Sequence, residues 1–224
     1  MEETKKTVTS DTTAETGLKF FGAVTASISH EIKNRMAIIN EQAGLLQDFV
    51  RMAEKGRQLD PERLMRLAGS IKTQVSMSDV IIKNMNRFAH SVDVFWQTAD
   101  LDEVLLLVTA LARRTADNRE VRLEVRSPGT SIRVGTSAFY IMNLTWLCLD
   151  KLMQQPGKDK SIVLGCEKVG DGAALWLSGD GFDAEPGNME LGPAAAGLAA
   201  QLKGQIQADS EQGCFRILLP LDMG

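Results

Sequence analysis

The segment from Ser29 to Asn34 holds the residues with the greatest potential for chemistry, because His30, Glu31 and Asn34 form the pattern H-E-x-x-N. A helix turns about 100° per residue, so residues four apart share a face. His30 and Asn34 therefore point the same way, with Glu31 beside them. An imidazole flanked by a carboxylate and an amide is suited to be a nucleophile that a second protein must reach.

Apolar residues on either side of His30 recur at steps of three and four, as they do in a helix with one buried seam. They are Phe21, Val24, Ile28, Ile32, Met36, Ile39, Ala43, Leu46 and Val50. His30 lies about 200° around the helix from both Ile28 and Ile32, and so on the opposite face. We predict one helix from about Thr16 to Glu54, with His30 exposed to solvent.

A second helix is predicted after a break at residues 55–59, with Asp60 as its cap and Pro61 at its first helical position. Its apolar seam is Leu64, Leu67, Ile71, Val75, Ser78, Ile81, Met85 and Phe88. This spacing predicts a helical hairpin that packs like a coiled coil. Two helices cannot cover both seams, so we expect a dimeric four-helix bundle over residues 17–92. A polar tail at residues 1–16 is predicted to be disordered.

Residues 93–224 show a different pattern, in which helices alternate with pairs of strands. Helices are predicted near 100–115, 136–154 and 194–202, and strands near 121–125, 131–134, 161–169, 173–177, 205–209 and 214–219. Asp100 and Glu103 form a capping box at the first of these helices. The fold class is therefore α+β: a helical hairpin, then a two-layer α/β sandwich with helices on one face of a mixed sheet.

Composition narrows the function classes. The net charge is −4 and the pI is near 5.3, so a nucleic-acid-binding surface is not expected. No run is long enough to span a membrane and the first residues lack an apolar signal region, so we expect a cytoplasmic protein. Cys148, Cys166 and Cys214 lack metal-ligand spacing and are interpreted as reduced core thiols.

The string SISHEIKNRMAIIN resembles the H-box of two-component sensor histidine kinases, except that Arg35 stands where those families often have proline. The resemblance implies that His30 accepts a phosphoryl group and that Glu31 helps to activate the imidazole. It implies that Asn34 helps to position water or the partner's aspartyl phosphate. Lys33 and Arg35 could assist docking or neutralise phosphate, or they are simply two solvated charges.

The sandwich resembles the ATP-binding domain of the same kinases. The matching segments are Asn143-Leu144 with Asp150, residues 203–206 and residues 214–220. The nucleotide-binding residues depart from the family pattern. Leu147 stands where the Mg²⁺-binding asparagine is expected, and leucine cannot bind a hard cation. Asp180 is a displaced remnant of the adenine-binding box, and Pro193 interrupts the phosphate loop, so ATP binding is not expected.

A phosphoacceptor histidine beside a degenerate ATP site resembles the dimeric histidine phosphotransferases of phosphorelays. This resemblance implies a homodimer that passes phosphoryl groups between His30 and the aspartates of response-regulator receiver domains. A hybrid sensor kinase is a possible further partner. No cofactor is expected, because the receiver would supply Mg²⁺.

Three alternatives remain open at this point. They are a sensor kinase with an atypical ATP site, a pseudokinase scaffold, and a response-regulator phosphatase in which Asn34 orients water. His90 is interpreted as structural, because no carboxylate-plus-amide pattern follows it and a cation is favoured near a helix C-terminus.

Overall fold

The structure is a computed structural model that describes residues 2–155, 157–179, 190–209 and 213–220, with side chains from Thr13 onward. Within these ranges the chain forms five α-helices and seven strands. The helices are α1 (Glu2–Glu54), α2 (Pro61–Ala89), α3 (Leu101–Asn118), α4 (Ala138–Gln154) and α5 (Gly192–Gln201). The strands are β1 (Gln97–Asp100), β2 (Arg122–Arg126), β3 (Arg133–Thr136), β4 (Ser161–Val169), β5 (Gly172–Gly179), β6 (Gln205–Asp209) and β7 (Cys214–Pro220).

The chain divides into two compact units. The hairpin unit comprises residues 25–87, and the sandwich unit comprises residues 1–24 and 88–224. Helix α1 contributes to both units, since its first part belongs to the sandwich unit and its remainder to the hairpin unit.

The hairpin unit pairs α1 with α2 in antiparallel directions. Arg35 on α1 donates a hydrogen bond to Gln74 on α2 (Nη1 to Oε1, 3.0 Å). Nearer the connection, the Arg63 guanidinium lies 4.4 Å from the centre of the Phe49 ring. The separation in sequence decreases from the first pair to the second, as a hairpin requires. The helical hairpin predicted from the two seams is thus present in the structure.

Local chemistry ends one helix and starts the next. Gly56 adopts φ +79°, a left-handed conformation that glycine takes without steric cost. This conformation lets the Arg57 N–H donate to the carbonyl of Met52 at 3.1 Å, which closes α1. The Asp60 carboxylate then accepts from the N–H of Glu62 at 2.9 Å, so the predicted cap is confirmed.

The predicted seams are only partly covered within one chain. Ile28 and Leu67 are buried. Met36 and Val50 are each 55% exposed, and Val75 is 48% exposed. A single hairpin therefore leaves much of its apolar surface in contact with water.

A disordered tail is predicted at residues 1–16, whereas in the structure α1 begins at Glu2. The predicted domain boundaries also differ, since residues 1–24 belong to the sandwich unit. The reason is a stripe of Thr13, Gly17, Phe20 and Val24, spaced by three and four and buried. The polar residues on the opposite face of this part of α1 are the reason that the sequence predicts a disordered tail. Burial of the stripe favours helix over disorder.

The sandwich unit contains a mixed five-stranded sheet in the order β2-β4-β5-β7-β6. Strands β2 and β4 are parallel, and the other neighbours are antiparallel. One face carries the alternating residues Leu175, Leu177, Phe215 and Ile217, which are buried, whereas Arg216 between the last two is exposed. Helices α3 and α4 contact β4 and β5, so the predicted two-layer sandwich is confirmed.

A small second sheet was missed by the sequence analysis. Strand β1 pairs antiparallel with β3, from Gln97 opposite Thr136 to Asp100 opposite Arg133. Its sequence, Gln-Thr-Ala-Asp, offers little alternation of apolar and polar residues, so periodicity does not predict a strand there. Asp100 also caps α3 as predicted, accepting from the N–H of Asp102 at 3.0 Å. The hydrogen bond from Ser131 holds the pKa of Asp100 below its usual range.

Candidate functional site

His30 lies in the hairpin unit, on the solvent-exposed surface of α1. Asn34 is also exposed and lies one turn further along the same face, as predicted. Among the residues that the structure describes, none forms a hydrogen bond with the His30 imidazole. The ring is therefore open to an approaching partner, and its orientation is not set by another side chain of this unit.

Glu31 is half-buried, and its carboxylate pairs with Arg35. Its Oε1 lies 3.6 Å from Nη2 of Arg35, one turn along α1, and both side chains are only 26% exposed. The same guanidinium donates through Nη1 to Gln74 on α2 at 3.0 Å. Glu31, which the resemblance implies helps to activate the imidazole, is thus linked through Arg35 to Gln74 on the other helix of the hairpin.

Arg35 occupies the position at which the resemblance predicts proline. A proline there would remove a backbone N–H and disturb the preceding turn of the helix. Arginine lets α1 continue without interruption through the site. The Arg35 side chain is only 26% exposed and contacts Glu31 and Gln74, so it is not simply a solvated charge. Lys33, in contrast, is exposed.

His90 lies in the sandwich unit, in a 3₁₀ turn (His90–Val92) that follows α2. Its Nδ1 is 2.7 Å from Oδ2 of Asp93, and its side chain is 75% exposed. A hydrogen bond from Nδ1–H to the carboxylate leaves Nε2 as the unprotonated nitrogen of a neutral ring. The sequence analysis did not foresee this pair. The carboxylate three residues after the histidine was the available signal.

Helix α4 carries the residues that match the nucleotide-binding helix of the kinases. Leu147 is half-buried, so the expected metal-binding position presents an aliphatic side chain. Asn143 is fully buried, and its side-chain oxygen and nitrogen have no hydrogen-bond partner. Asp150 pairs with Arg119 at the end of α3, with Oδ1 2.8 Å from Nη1. Asp150 therefore has a structural role in this unit, since it links α4 to the end of α3.

Helix α5 begins where the phosphate-binding loop is expected. Its N-cap residue, Leu191, provides no side-chain cap, and Pro193 occupies the first turn without a backbone N–H. The predicted adenine-box remnant at residues 180–182 lies outside the described residues. Within the described ranges, no cluster of three or more histidine, cysteine or acidic side chains could hold a metal ion.

Aromatic residues fix the first part of α1 within the sandwich unit. The Phe20 ring centre lies 5.2 Å from that of Phe88, 5.8 Å from that of Phe139 and 5.5 Å from that of Trp146. A Cβ at Gly17 would lie 3.3 Å from the Phe139 ring, so glycine allows the close approach of α1 to α4. Residues 17–24 of α1 thus pack within the sandwich unit.

The three cysteines show no sign of reactivity. Cys148 and Cys166 are buried, Cys214 is half-buried, and all three are free. Burial and the nearby carboxylates of Asp102 and Asp100 raise the pKa of Cys166 to about 11. Burial also raises the pKa values of Cys148 and Cys214. Because the thiolate is the reactive form, this environment agrees with the prediction of reduced core thiols.

Comparisons with known proteins place the fold. The chain matches no protein-family model and no curated protein sequence. Among solved structures, full-length ShkA in complex with AMPPNP is 13% identical with a TM-score of 0.50, over 86% of this chain and 46% of that one. The histidine kinase AdeS of Acinetobacter baumannii is 17% identical with a TM-score of 0.48, over 87% of this chain and 98% of that one.

The catalytic domain of the histidine kinase ThkA is 13% identical with a TM-score of 0.45, over 57% of this chain and 98% of that domain. At these identities the likeness concerns the fold alone. The chain has a histidine-kinase-like fold, in agreement with the resemblance of its sequence. Among the helices of the described ranges, none combines the length and the hydropathy that a membrane span requires.

Proposed function

We propose that this protein is a histidine phosphotransferase that passes phosphoryl groups between His30 and the aspartates of response-regulator receiver domains. The observation that carries the proposal is the exposed His30, with Asn34 one turn along the same helix, in a chain whose expected metal-binding position is Leu147. The nucleophile is accessible, whereas the described part of the nucleotide site lacks its metal ligand.

The transfer step asks little of this protein. A ring nitrogen of neutral His30 attacks the phosphorus of the receiver's aspartyl phosphate, and an N–P bond forms as the acyl O–P bond breaks. The bonding electron pair leaves with the aspartate carboxylate, while the second ring nitrogen keeps its proton and the ring gains positive charge. The receiver supplies Mg²⁺ and its own charge-neutralising groups, so positioning is the main contribution of this chain.

The proposed assembly is a homodimer formed through the hairpin unit. Its support is the apolar surface that one hairpin leaves exposed, including Met36, Val50 and Val75. A second copy would cover these residues in a four-helix bundle. The proposed partners are receiver domains, and a hybrid sensor kinase is a further candidate donor. Such partners would place the protein in the cytoplasm.

A sensor kinase that uses ATP is the second candidate function. The likeness in fold to kinases favours it, and the ShkA structure contains AMPPNP. A metal site that does not depend on position 147 would be required. Asn143 is a polar residue near that position on α4, but it is fully buried. We therefore favour the phosphotransferase.

One experiment separates these functions. The protein is incubated with radiolabelled ATP alone, and in parallel with a receiver domain that has been phosphorylated and freed of its kinase. Labelling only by the receiver supports the phosphotransferase, and labelling by ATP alone supports the kinase. A pseudokinase scaffold would remain unlabelled in both. A phosphatase would remove the receiver's phosphate as inorganic phosphate without a stable phosphohistidine.

Calorimetry with Mg-ATP tests the sandwich unit directly. We expect no binding tighter than about millimolar, which corresponds to a free energy near −4 kcal/mol. A micromolar dissociation constant would contradict the proposal. The Leu147→Asn variant is the informative comparison with the wild type in this experiment, because it restores only the metal ligand at the expected position.

A further inference from the structure

The structure assigns a positioning role to Arg35: we propose that it holds the Glu31 carboxylate away from the His30 imidazole in the unpartnered protein. The catalytic importance of this role rests on the proposed function. The placement itself is a property of the free chain and is tested without a phosphodonor.

The geometry begins with the shared guanidinium. Arg35 engages Glu31 on its own helix, with 3.6 Å between Nη2 and Oε1, and Gln74 on the facing helix at 3.0 Å. Glu31 and Arg35 are each about three-quarters covered, so water screens this pair less than it screens an exposed i,i+4 pair. The hydrogen bond to Gln74 fixes the guanidinium, which in turn fixes the carboxylate.

The carboxylate cannot serve two partners at once. Glu31 follows His30 directly, and the Nδ1 atom of a histidine lies closer to its own backbone than Nε2 does. Nδ1 is therefore the nitrogen that the side chain of the next residue can reach, while Nε2 remains free to attack phosphorus. With Glu31 drawn one turn away toward Arg35, the imidazole has no partner among the described residues.

Arg35 also has a chemical reason to release Glu31. A guanidinium forms strong paired hydrogen bonds with carboxylates and phosphoryl oxygens. An anionic group brought within reach by a receiver domain would compete with Glu31 for Arg35. The freed carboxylate could then accept a hydrogen bond from Nδ1–H as the ring gains positive charge. Arg35 would thus couple arrival of the anion to orientation of the nucleophile.

The test measures the tautomers of neutral His30 by long-range ¹H–¹⁵N correlation in the full chain, at about pH 8.5, where imidazoles are uncharged. The chain has two histidines, so His90→Ala leaves one set of signals. In this background we expect Arg35→Gln to raise the ratio of Nδ1–H to Nε2–H tautomer about threefold or more. This factor corresponds to the lower range of an ordinary hydrogen bond.

Matched variants isolate the cause. Arg35→Lys keeps a cation four residues after Glu31 and should retain the starting ratio. Adding Glu31→Gln to Arg35→Gln should return the ratio to its starting value. Gln74→Leu removes the bond between the helices and should lower the melting temperature, with a smaller change in the ratio than Arg35→Gln gives.

If Arg35→Gln does not fold, Glu31→Gln alone still tests the proposal, because this variant leaves Arg35 in place. If Arg35 holds the carboxylate off the ring, this variant leaves the tautomer ratio unchanged. A change in that variant, or an unchanged ratio in folded Arg35→Gln, would overturn the proposal. Neither result bears on whether His30 accepts phosphate, so failure of the proposed function is detected separately by the receiver assay.

Discussion

The hairpin unit and the sandwich unit differ in where they place their large apolar side chains. In the sandwich unit Leu105, Ile141 and Phe215 are completely buried. In the hairpin unit Met65 is 73% exposed and Val80 is 57% exposed. The sandwich unit has a core of its own, whereas the hairpin unit has apolar surface that one chain does not cover.

The polar chemistry is distributed in the opposite way. The hairpin unit carries an accessible imidazole at His30. In the sandwich unit, helix α4 has Leu147 at the expected metal-binding position, and its Asn143 is buried. The sandwich unit thus has a buried core but lacks the expected metal ligand. The hairpin unit has exposed apolar side chains and carries the candidate nucleophile, His30. Under the proposed function, the sandwich unit would provide structure and docking surface, and a dimeric hairpin would provide the nucleophile.

The largest expected effect is on the phosphoryl label. His30→Ala should abolish the acid-labile, alkali-stable label that a phosphorylated receiver transfers to the chain. Alanine is well tolerated at an exposed helix position, so the dimer should stay intact. Asn40→Ala, at another exposed position of α1, is the matched control and should retain the label. A label that persists in His30→Ala would show that His30 is not the phosphoacceptor.

The second effect is on assembly. Ile71→Asp should convert the dimer into a monomer, because an unpaired carboxylate in an apolar interface costs several kcal/mol. Sedimentation at micromolar concentration should give about twice 24.5 kDa for the wild type and 24.5 kDa for the variant. Thr73→Asp, at an exposed position nearby, should remain dimeric. A well-folded wild-type monomer would contradict the idea that the hairpin needs a second copy.

A smaller effect is expected at Glu31. Glu31→Ala should slow transfer from a phosphorylated receiver by about 10- to 100-fold. This is less than the roughly 10²- to 10⁴-fold typical of a general acid or base, because the proposed role of Glu31 is to orient the ring. Single-turnover kinetics measure this rate directly. The control is Glu41→Ala, which removes an exposed carboxylate from the same helix. An unchanged rate would show that Glu31 serves only as the partner of Arg35.

Sequence alone predicted the elements that local chemistry specifies. The Asp60 cap of α2 and the Asp100 cap of α3 each depend on a side chain and an N–H a few residues away. The packing of residues 17–24 within the sandwich unit could not be predicted in this way, because it depends on contacts of Phe20 with residues far along the chain. Strand β1 was missed for a similar reason, since only its pairing with β3 defines it.

At the candidate site, helical periodicity predicted the exposure of His30 and its shared face with Asn34. It could not decide the partner of Glu31, because both His30 and Arg35 are neighbours along the helix. The deciding contact is the hydrogen bond from Arg35 to Gln74, 39 residues away in sequence. The choice of Glu31 between His30 and Arg35 thus depends on Gln74, a residue of the other helix.

The smallest expected effect is at His90, and it sharpens the comparison between the two units. The pair with Asp93, at 2.7 Å, orients the His90 ring in a way that also suits a nucleophile. However, a side chain as exposed as this one contributes little to stability through an ion pair. His90→Ala should therefore leave both the transfer rate and the melting temperature nearly unchanged, with Asp93→Asn as its matched control. If His90→Ala instead removes the phosphoryl label while His30→Ala keeps it, an orienting carboxylate matters more than the H-E-x-x-N pattern. The nucleophile would then belong to the sandwich unit.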